Sequence, residues 1–118
     1  GIRDRDVTGV QTCALPIWKK YISHFDGIDG LFTADVTAAA CMKMLQKKGI
    51  KIPKKLKVVG YDGLDFTRFL TPELTTVCQN VPEIAKRSVD TIIRMIDGKK
   101  IEEMEQIVDV TFRKGEST

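Results

Sequence analysis

From Gly30 onward, apolar and polar residues fall into two alternating kinds of segment. Leu31 to Ala34 is a short, mostly apolar run, and Val36 to Lys48 is rich in Ala, Met, Leu and Lys, so the pair reads as a strand followed by a helix. Gly49 supplies the helix stop, and Pro53 lies in the basic loop beyond it. Leu56 to Tyr61 is a second β-rich run closed by Asp62-Gly63, and the intervening helix has the length a parallel crossover needs. A βαβ unit is the simplest reading.

Between Leu64 and Pro72 the pattern is irregular, with a helical turn expected near Asp65 to Phe69, and Leu74 to Cys78 reads as a third strand. Asn80 is placed to cap another helix, with Glu83 three residues on as in a capping box and Pro82 in the first turn. In that helix Ala85, Val89, Ile92, Ile93 and Ile96 recur at helical spacing and form one apolar stripe. Gly98 ends it, and Gln106 to Phe112 reads as a last strand before a polar tail. Strands alternating with helices predict an α/β fold built on a parallel sheet.

Residues 1–17 break this pattern. Gly1 to Asp4 and Val7 to Ile17 back-translate into the two halves of a common short-read sequencing adapter, and Arg5-Asp6 occupies the place of its two-codon index. No signal-peptide apolar run and no helix or strand period survives there, so the segment is set aside as non-native and residues 18–118 carry the fold. Its Arg3, Asp4, Arg5 and Asp6 cancel, which leaves the formal net charge of +3 with the remainder.

That charge is modest. Lys47, Lys48, Lys51, Lys54, Lys55 and Lys57 are spread over a helix end and a loop without interleaved aromatics, the pattern of a solvated face and not of a nucleic-acid footprint. Of three cysteines, Cys13 lies in the adapter segment, and Cys41 and Cys78 lack metal-site spacing. Two unpaired thiols suit a reducing cytoplasm, and no apolar stretch reaches the length of a membrane span.

In open parallel sheets, ligands bind outside the carboxyl ends of the strands. Asp35 and Asp62 both follow a strand directly, so their carboxylates are the candidate ligand contacts, able to accept hydrogen bonds from sugar hydroxyls or a base amine. Plainer readings compete: cap preferences favour Asp35 as a helix N-cap, and Asp62-Gly63 is an ordinary turn pair. Catalysis lacks the rest of its machinery. His24 stands in a polar stretch, Ser23, Ser88 and Ser117 carry no nucleophile motif, and there is no phosphate-cradling Gly-rich loop. No enzyme activity, metal or cofactor is expected.

Four blocks in order resemble one family. They are Asp26-Gly-Ile-Asp-Gly-Leu-Phe-Thr-Ala-Asp35, Gly49-Ile-Lys-Ile-Pro-Lys-Lys-Leu-Lys-Val-Val-Gly-Tyr-Asp62, Thr71-Pro-Glu-Leu-Thr-Thr-Val-Cys-Gln79 and Val110-Thr-Phe-Arg-Lys-Gly-Glu-Ser-Thr118. From about Asp26 to the end the chain resembles the LacI/GalR bacterial transcriptional repressors. The resemblance implies an incomplete lobe of a periplasmic-binding-protein-like (type I) effector domain, with the helix from Val81 to Ile96 belonging to a second lobe. It places Asp62 at the effector contact and Asp35 at the Asp of the family's Asn-Asp pair, where Ala34 replaces the Asn.

The implied partners are a small-molecule effector, a sugar or sugar phosphate, and operator DNA bound through a separate helix-turn-helix. A homodimer would pack through Ala39, Met42 and Lys43 and through Phe69 and Leu70, although Phe69 and Leu70 also suit a local core. The alternative is a periplasmic sugar-binding protein of a transporter, against which the Pro-x-Leu-Thr-Thr-Val block, the Ile-Pro-Lys-Lys-Leu approach and the unpaired cysteines count.

Overall fold

The computed structural model describes residues 27–101 and 105–118; the adapter-like segment lies outside them. The elements run β1 (Gly30–Ala34), α1 (Asp35–Lys47), β2 (Lys57–Asp62), a 3-10 turn (Asp65–Phe69), β3 (Thr75–Cys78), α2 (Val81–Ile96) and β4 (Thr111–Arg113). The strands form one sheet in the order β1-β2-β3-β4. The first three are mutually parallel, and β4 joins β3 antiparallel. The expected parallel sheet is therefore present with an antiparallel edge.

The crossover helix α1 buries Ala38, Cys41, Met42 and Leu45, positions spaced three and four apart on one face. They pack on Leu56, Val58 and Leu74, with Leu31 and Ile52 at the margin. Full burial of a Leu or Val side chain contributes about 1.5–3 kcal/mol, so this small interface is the main stabilising contact of the sheet with a helix. Burial pushes the Cys41 thiol up to about 11, so at neutral pH it stays protonated and packs as a small apolar group.

The stop after α1 follows from Gly49, whose φ of 78° suits a residue without Cβ. Gly49 N–H donates to the Gln46 carbonyl at 2.9 Å and Ile50 N–H to the Leu45 carbonyl at 3.0 Å, a Schellman closure that also returns Ile50 to the Leu45 cluster. The four lysines beyond it, Lys51, Lys54, Lys55 and Lys57, are exposed, as a solvated loop requires.

Two expectations are corrected at the C-terminus. The last strand is confined to Thr111–Arg113, because residues ahead of it are tied to α2 instead: Arg87 Nη1 donates to the Ile107 carbonyl and Gln106 Nε2 to Thr91 Oγ1. The polar tail is an anchored element. Ser117 is fully buried where β2 and β3 splay, below the first registered pair Val59–Thr75. Its carbonyl accepts from Val58 N at 2.8 Å, its hydroxyl donates to the Val58 carbonyl, and Thr75 N donates to that same hydroxyl.

Helix α2 forms over the expected residues, but among the described residues only the segment around Gln106 and Ile107 bonds to its side chains. Asn80 Oδ1 accepts from Glu83 N at 3.3 Å, while the Glu83 carboxylate turns to Arg87 at 2.7 Å, so only half of the capping box forms. The Arg87 hydrogen bond holds the Glu83 carboxyl below its ordinary value. No residue of α2 is buried, and Val89, Ile92, Ile93 and Ile96 are each more than half exposed. Among the described residues the sheet face opposite α1 is likewise uncovered, with Phe32 and Phe112 64% and 63% exposed and Phe32 meeting Tyr61 edge to face.

Isolated helices of this length are marginal in water. In the 118-residue chain the amides of α2 are therefore expected to exchange at least ~100-fold faster than those of β2, measured by hydrogen exchange at neutral pH. Equal protection of the two elements would show that α2 gains a packing partner in solution.

Candidate functional site

The carboxyl ends of β1, β2 and β3 converge, as parallel register demands: Ala34 stands beside Tyr61, and Asp62 beside Cys78. Asp62 is half-buried at the end of β2 with φ 123°, a region costly for a side-chain-bearing residue. Gln79, just past β3, holds it twice: Gln79 N donates to the Asp62 carbonyl at 3.2 Å, and Nε2 donates to Oδ1 at 2.8 Å. Among the described residues Oδ2 accepts no hydrogen bond, which leaves one oxygen for a ligand donor.

Gly63 follows with φ 80°. A Cβ there would lie 2.6 Å from Cys78 Cα, so the chain turns over β3 only because this residue has no side chain.

Asp35 is placed differently from either expectation. It opens α1 rather than capping it; Ala34 is the N-cap and no side-chain cap bond forms. The carboxylate is drawn under the β2–β3 loop, fully buried, and both oxygens are engaged within the chain. Thr76 Oγ1 donates to Oδ1 at 2.5 Å, and Leu64 N donates to Oδ2 at 2.7 Å. The two carboxylates thus do not line one crevice: Asp62 stands at the edge and Asp35 supports the loop beneath it.

Three further residues complete the arrangement. Arg113 on β4 is registered against Thr76 and sends Nη1 to the Gly63 carbonyl at 3.5 Å and Nη2 to the Leu64 carbonyl at 3.1 Å. Thr67, buried in the 3-10 turn, donates to the Leu64 carbonyl at 2.6 Å and accepts from Arg113 Nη2. Gly60 leaves room for Asp35; a Cβ there would lie 2.0 Å from Oδ1. The signals for these residues were faint: a threonine on the core side of a strand, an arginine at a strand end, and a glycine inside a strand.

The expected dimer contacts divide. Met42 is 2% exposed, packed between α1 and the sheet with Ala38, Val58 and Leu74, and Leu70 leans on the same cluster. Ala39 is half-buried, Lys43 exposed and Phe69 85% exposed. Of the serines, Ser88 donates to the Ile84 carbonyl on the exposed helix and Ser117 is structural, while Ser23 and His24 lie outside the described residues. Among the described residues no group of three His, Cys, Asp or Glu gathers as a metal site, and no helix is long and apolar enough to cross a membrane. Two cavities, one of about 500 Å³ beside α2 and one of about 460 Å³ at the Gly49–Lys54 loop, do not include Asp62.

The chain belongs to the periplasmic binding protein-like domain family, whose pattern matches residues 14–118. Within it, the curated relatives are LacI-type repressors. It is 33% identical over 91 residues to the ribose operon repressor of Haemophilus influenzae, covering 63% of this chain and 27% of that protein. It is 38% identical over 99 residues to the sucrose operon repressor of Streptococcus mutans, covering 83% and 31%. A LacI family regulator from Enterococcus faecium, solved with bound ribose, superposes with a TM-score of 0.75 at 26% identity over 92% of this chain and 40% of that one. The chain spans roughly three-tenths of the length of these curated repressors.

Proposed function

We propose that this chain is the effector-sensing part of a sugar-responsive transcriptional repressor, with Asp62 as a direct contact to sugar hydroxyls. The observation that carries the reading is Asp62 itself, its backbone at φ 123° at the sheet's carboxyl edge and its carboxylate fixed through one oxygen by Gln79, while the other accepts no hydrogen bond among the described residues. A carboxylate so held is preorganised to accept hydroxyl hydrogen bonds without reordering. Relatives that are repressors of ribose and sucrose operons support a sugar, or its phosphate, as the ligand, and support the regulator over a transport protein.

In this reading Asp35 acts on the effector through the loop it supports. A second lobe, packed on the apolar stripe of α2, closes the other side of the crevice. Operator DNA is bound by a helix-turn-helix elsewhere in the whole protein, which works as a cytoplasmic homodimer. Ala39, Lys43 and Phe69 are its outward-facing contacts. No catalytic step is assigned to the chain. Effector binding shifts the relative orientation of the lobes and thereby the spacing of the DNA-binding heads.

The test is titration of the whole repressor with pentoses, hexoses, disaccharides and their phosphates, read by calorimetry and by retardation of its own promoter DNA. One member is expected to bind saturably and to change operator affinity by at least ~5-fold, the lower range of allosteric coupling. A repressor whose operator affinity ignored every member would overturn the reading.

A further inference from the structure

We propose that Arg113 and Asp35 form a two-sided clamp on the Leu64 peptide, and that Arg113 is thereby a positioning residue for Asp62. The inference rests on the effector role of Asp62 proposed above, and concerns a residue about fifty positions away in sequence.

The loop needs such a device. Asp62 and Gly63 have φ values of 123° and 80°, so the backbone leaves β2 through two successive left-handed residues. An exposed loop of this kind samples other conformers unless contacts over-determine it. Here each polar side of the Leu64 backbone is gripped by a different charged side chain. Leu64 N donates to Asp35 Oδ2, whereas the Gly63 and Leu64 carbonyls accept from the Arg113 guanidinium.

The two grips share a base. Thr76, whose hydroxyl fixes Asp35 Oδ1, is the strand partner of Arg113 in the β3–β4 register. The anion also lies in the first turn of α1, where the helix dipole favours it. Arg113 Nε is buried without a hydrogen-bond partner among the described residues. Leaving a buried donor unpaired is costly, and the guanidinium accepts that cost while its two Nη groups reach the loop.

The clamp also carries the outward-facing turn. Thr67 bonds both Leu64 and Arg113, and its carbonyl accepts from Leu74 N at 3.2 Å and Leu70 N at 3.4 Å. The same contacts that hold Leu64 thus also hold the turn that ends at Phe69.

The test compares Arg113→Met with the unsubstituted whole repressor, by hydrogen exchange and by titration with D-ribose and with sucrose. Exchange in a peptide covering residues 62–67 is expected to rise about 10-fold, with the β2 peptide over residues 57–60 unchanged. Affinity for whichever sugar binds is expected to fall about 10-fold, with sugar-free operator affinity within about 2-fold. Arg113→Lys, one point donor for two, is expected to fall between.

Unchanged exchange at 62–67 in a folded variant overturns the clamp. So does a uniform rise across the sheet accompanied by parallel losses of sugar and operator binding, which marks a merely structural role. If Arg113→Met fails to fold, Arg113→Lys and Thr76→Val give the same readouts from the two sides. If neither sugar binds the unsubstituted protein, exchange alone decides the clamp, and the panel titration decides the role of Asp62 separately.

Discussion

Replacing Asp62 by Ala in the whole repressor is expected to lower sugar affinity by at least ~100-fold and to remove the sugar response, leaving sugar-free operator binding within about 2-fold. The free Oδ2 has two lone pairs and can accept from two hydroxyls; a hydrogen bond to a charged group contributes about 1.5–3 kcal/mol, so losing both removes roughly 3 kcal/mol or more, which is a factor of 100 or above. The affected residue is only half-buried and bears no core contact, so the cost falls on the ligand and spares the fold.

Backbone strain gives a control. Asp62 adopts φ 123°, which Gly takes up without strain, whereas Ala bears the same Cβ strain as Asp. If the carboxylate is the operative group, Asp62→Gly relieves the strain and still loses the sugar. If strain were the operative feature, Asp62→Gly would bind like the unsubstituted protein. Calorimetric titration of both variants with the sugar that binds, beside promoter retardation, separates the two, and an unchanged response in Asp62→Ala removes this residue from the site.

The elements that depend on near neighbours were legible from residue order. The Ala-, Met-, Leu- and Lys-rich run from Val36 to Lys48 placed α1, Gly49 placed its end, and the run from Leu56 placed β2. Asp62 was legible as a candidate for the same reason: a carboxylate directly after a strand of a parallel sheet sits where ligands bind. Asp35 looked equivalent by that rule and is not. Its partners, Leu64 and Thr76, are 29 and 41 residues away, and no local preference distinguishes a carboxylate that caps its own helix from one pulled beneath a distant loop.

Arg113 and Ser117 were hidden in the same way. An arginine and a serine in a short polar stretch read as solvated tail, yet both are held by long-range pairs whose existence depends on β4 returning antiparallel to β3. The stripe on α2 shows the converse. Its periodicity was plain, but periodicity states only that a face exists, and among the described residues that face stays unburied. Local order thus foretold elements and one edge residue, while the support of that edge came from tertiary closure.

That support makes Gly60 the position where the smallest substitution has the largest effect on the fold. Gly60→Ala puts a methyl 2.0 Å from Asp35 Oδ1, 2.8 Å from Leu74 Cδ2 and 3.1 Å from Thr76 Oγ1. Leu74 belongs to the core and Asp35 is held at both oxygens, so neither yields freely. Overpacking costs about 1–3 kcal/mol, and displacing a buried carboxylate from a hydrogen bond costs about as much again. A loss of about 4 kcal/mol is expected, which lowers the melting temperature of the whole repressor by about 10 °C.

Gly30→Ala is the internal comparison, since its Cβ would meet only the Lys57 carbonyl at 3.9 Å; that variant is expected to melt within about 2 °C of the unsubstituted protein. Asp35→Ala introduced into Gly60→Ala removes the clashing oxygen and is expected to recover part of the lost stability, so the pair of substitutions costs less than the sum of the two alone. Calorimetric melting of the four proteins decides it. Strict additivity would mean that Gly60 is needed for its backbone alone, and that the carboxylate beside it is free to move out of the way.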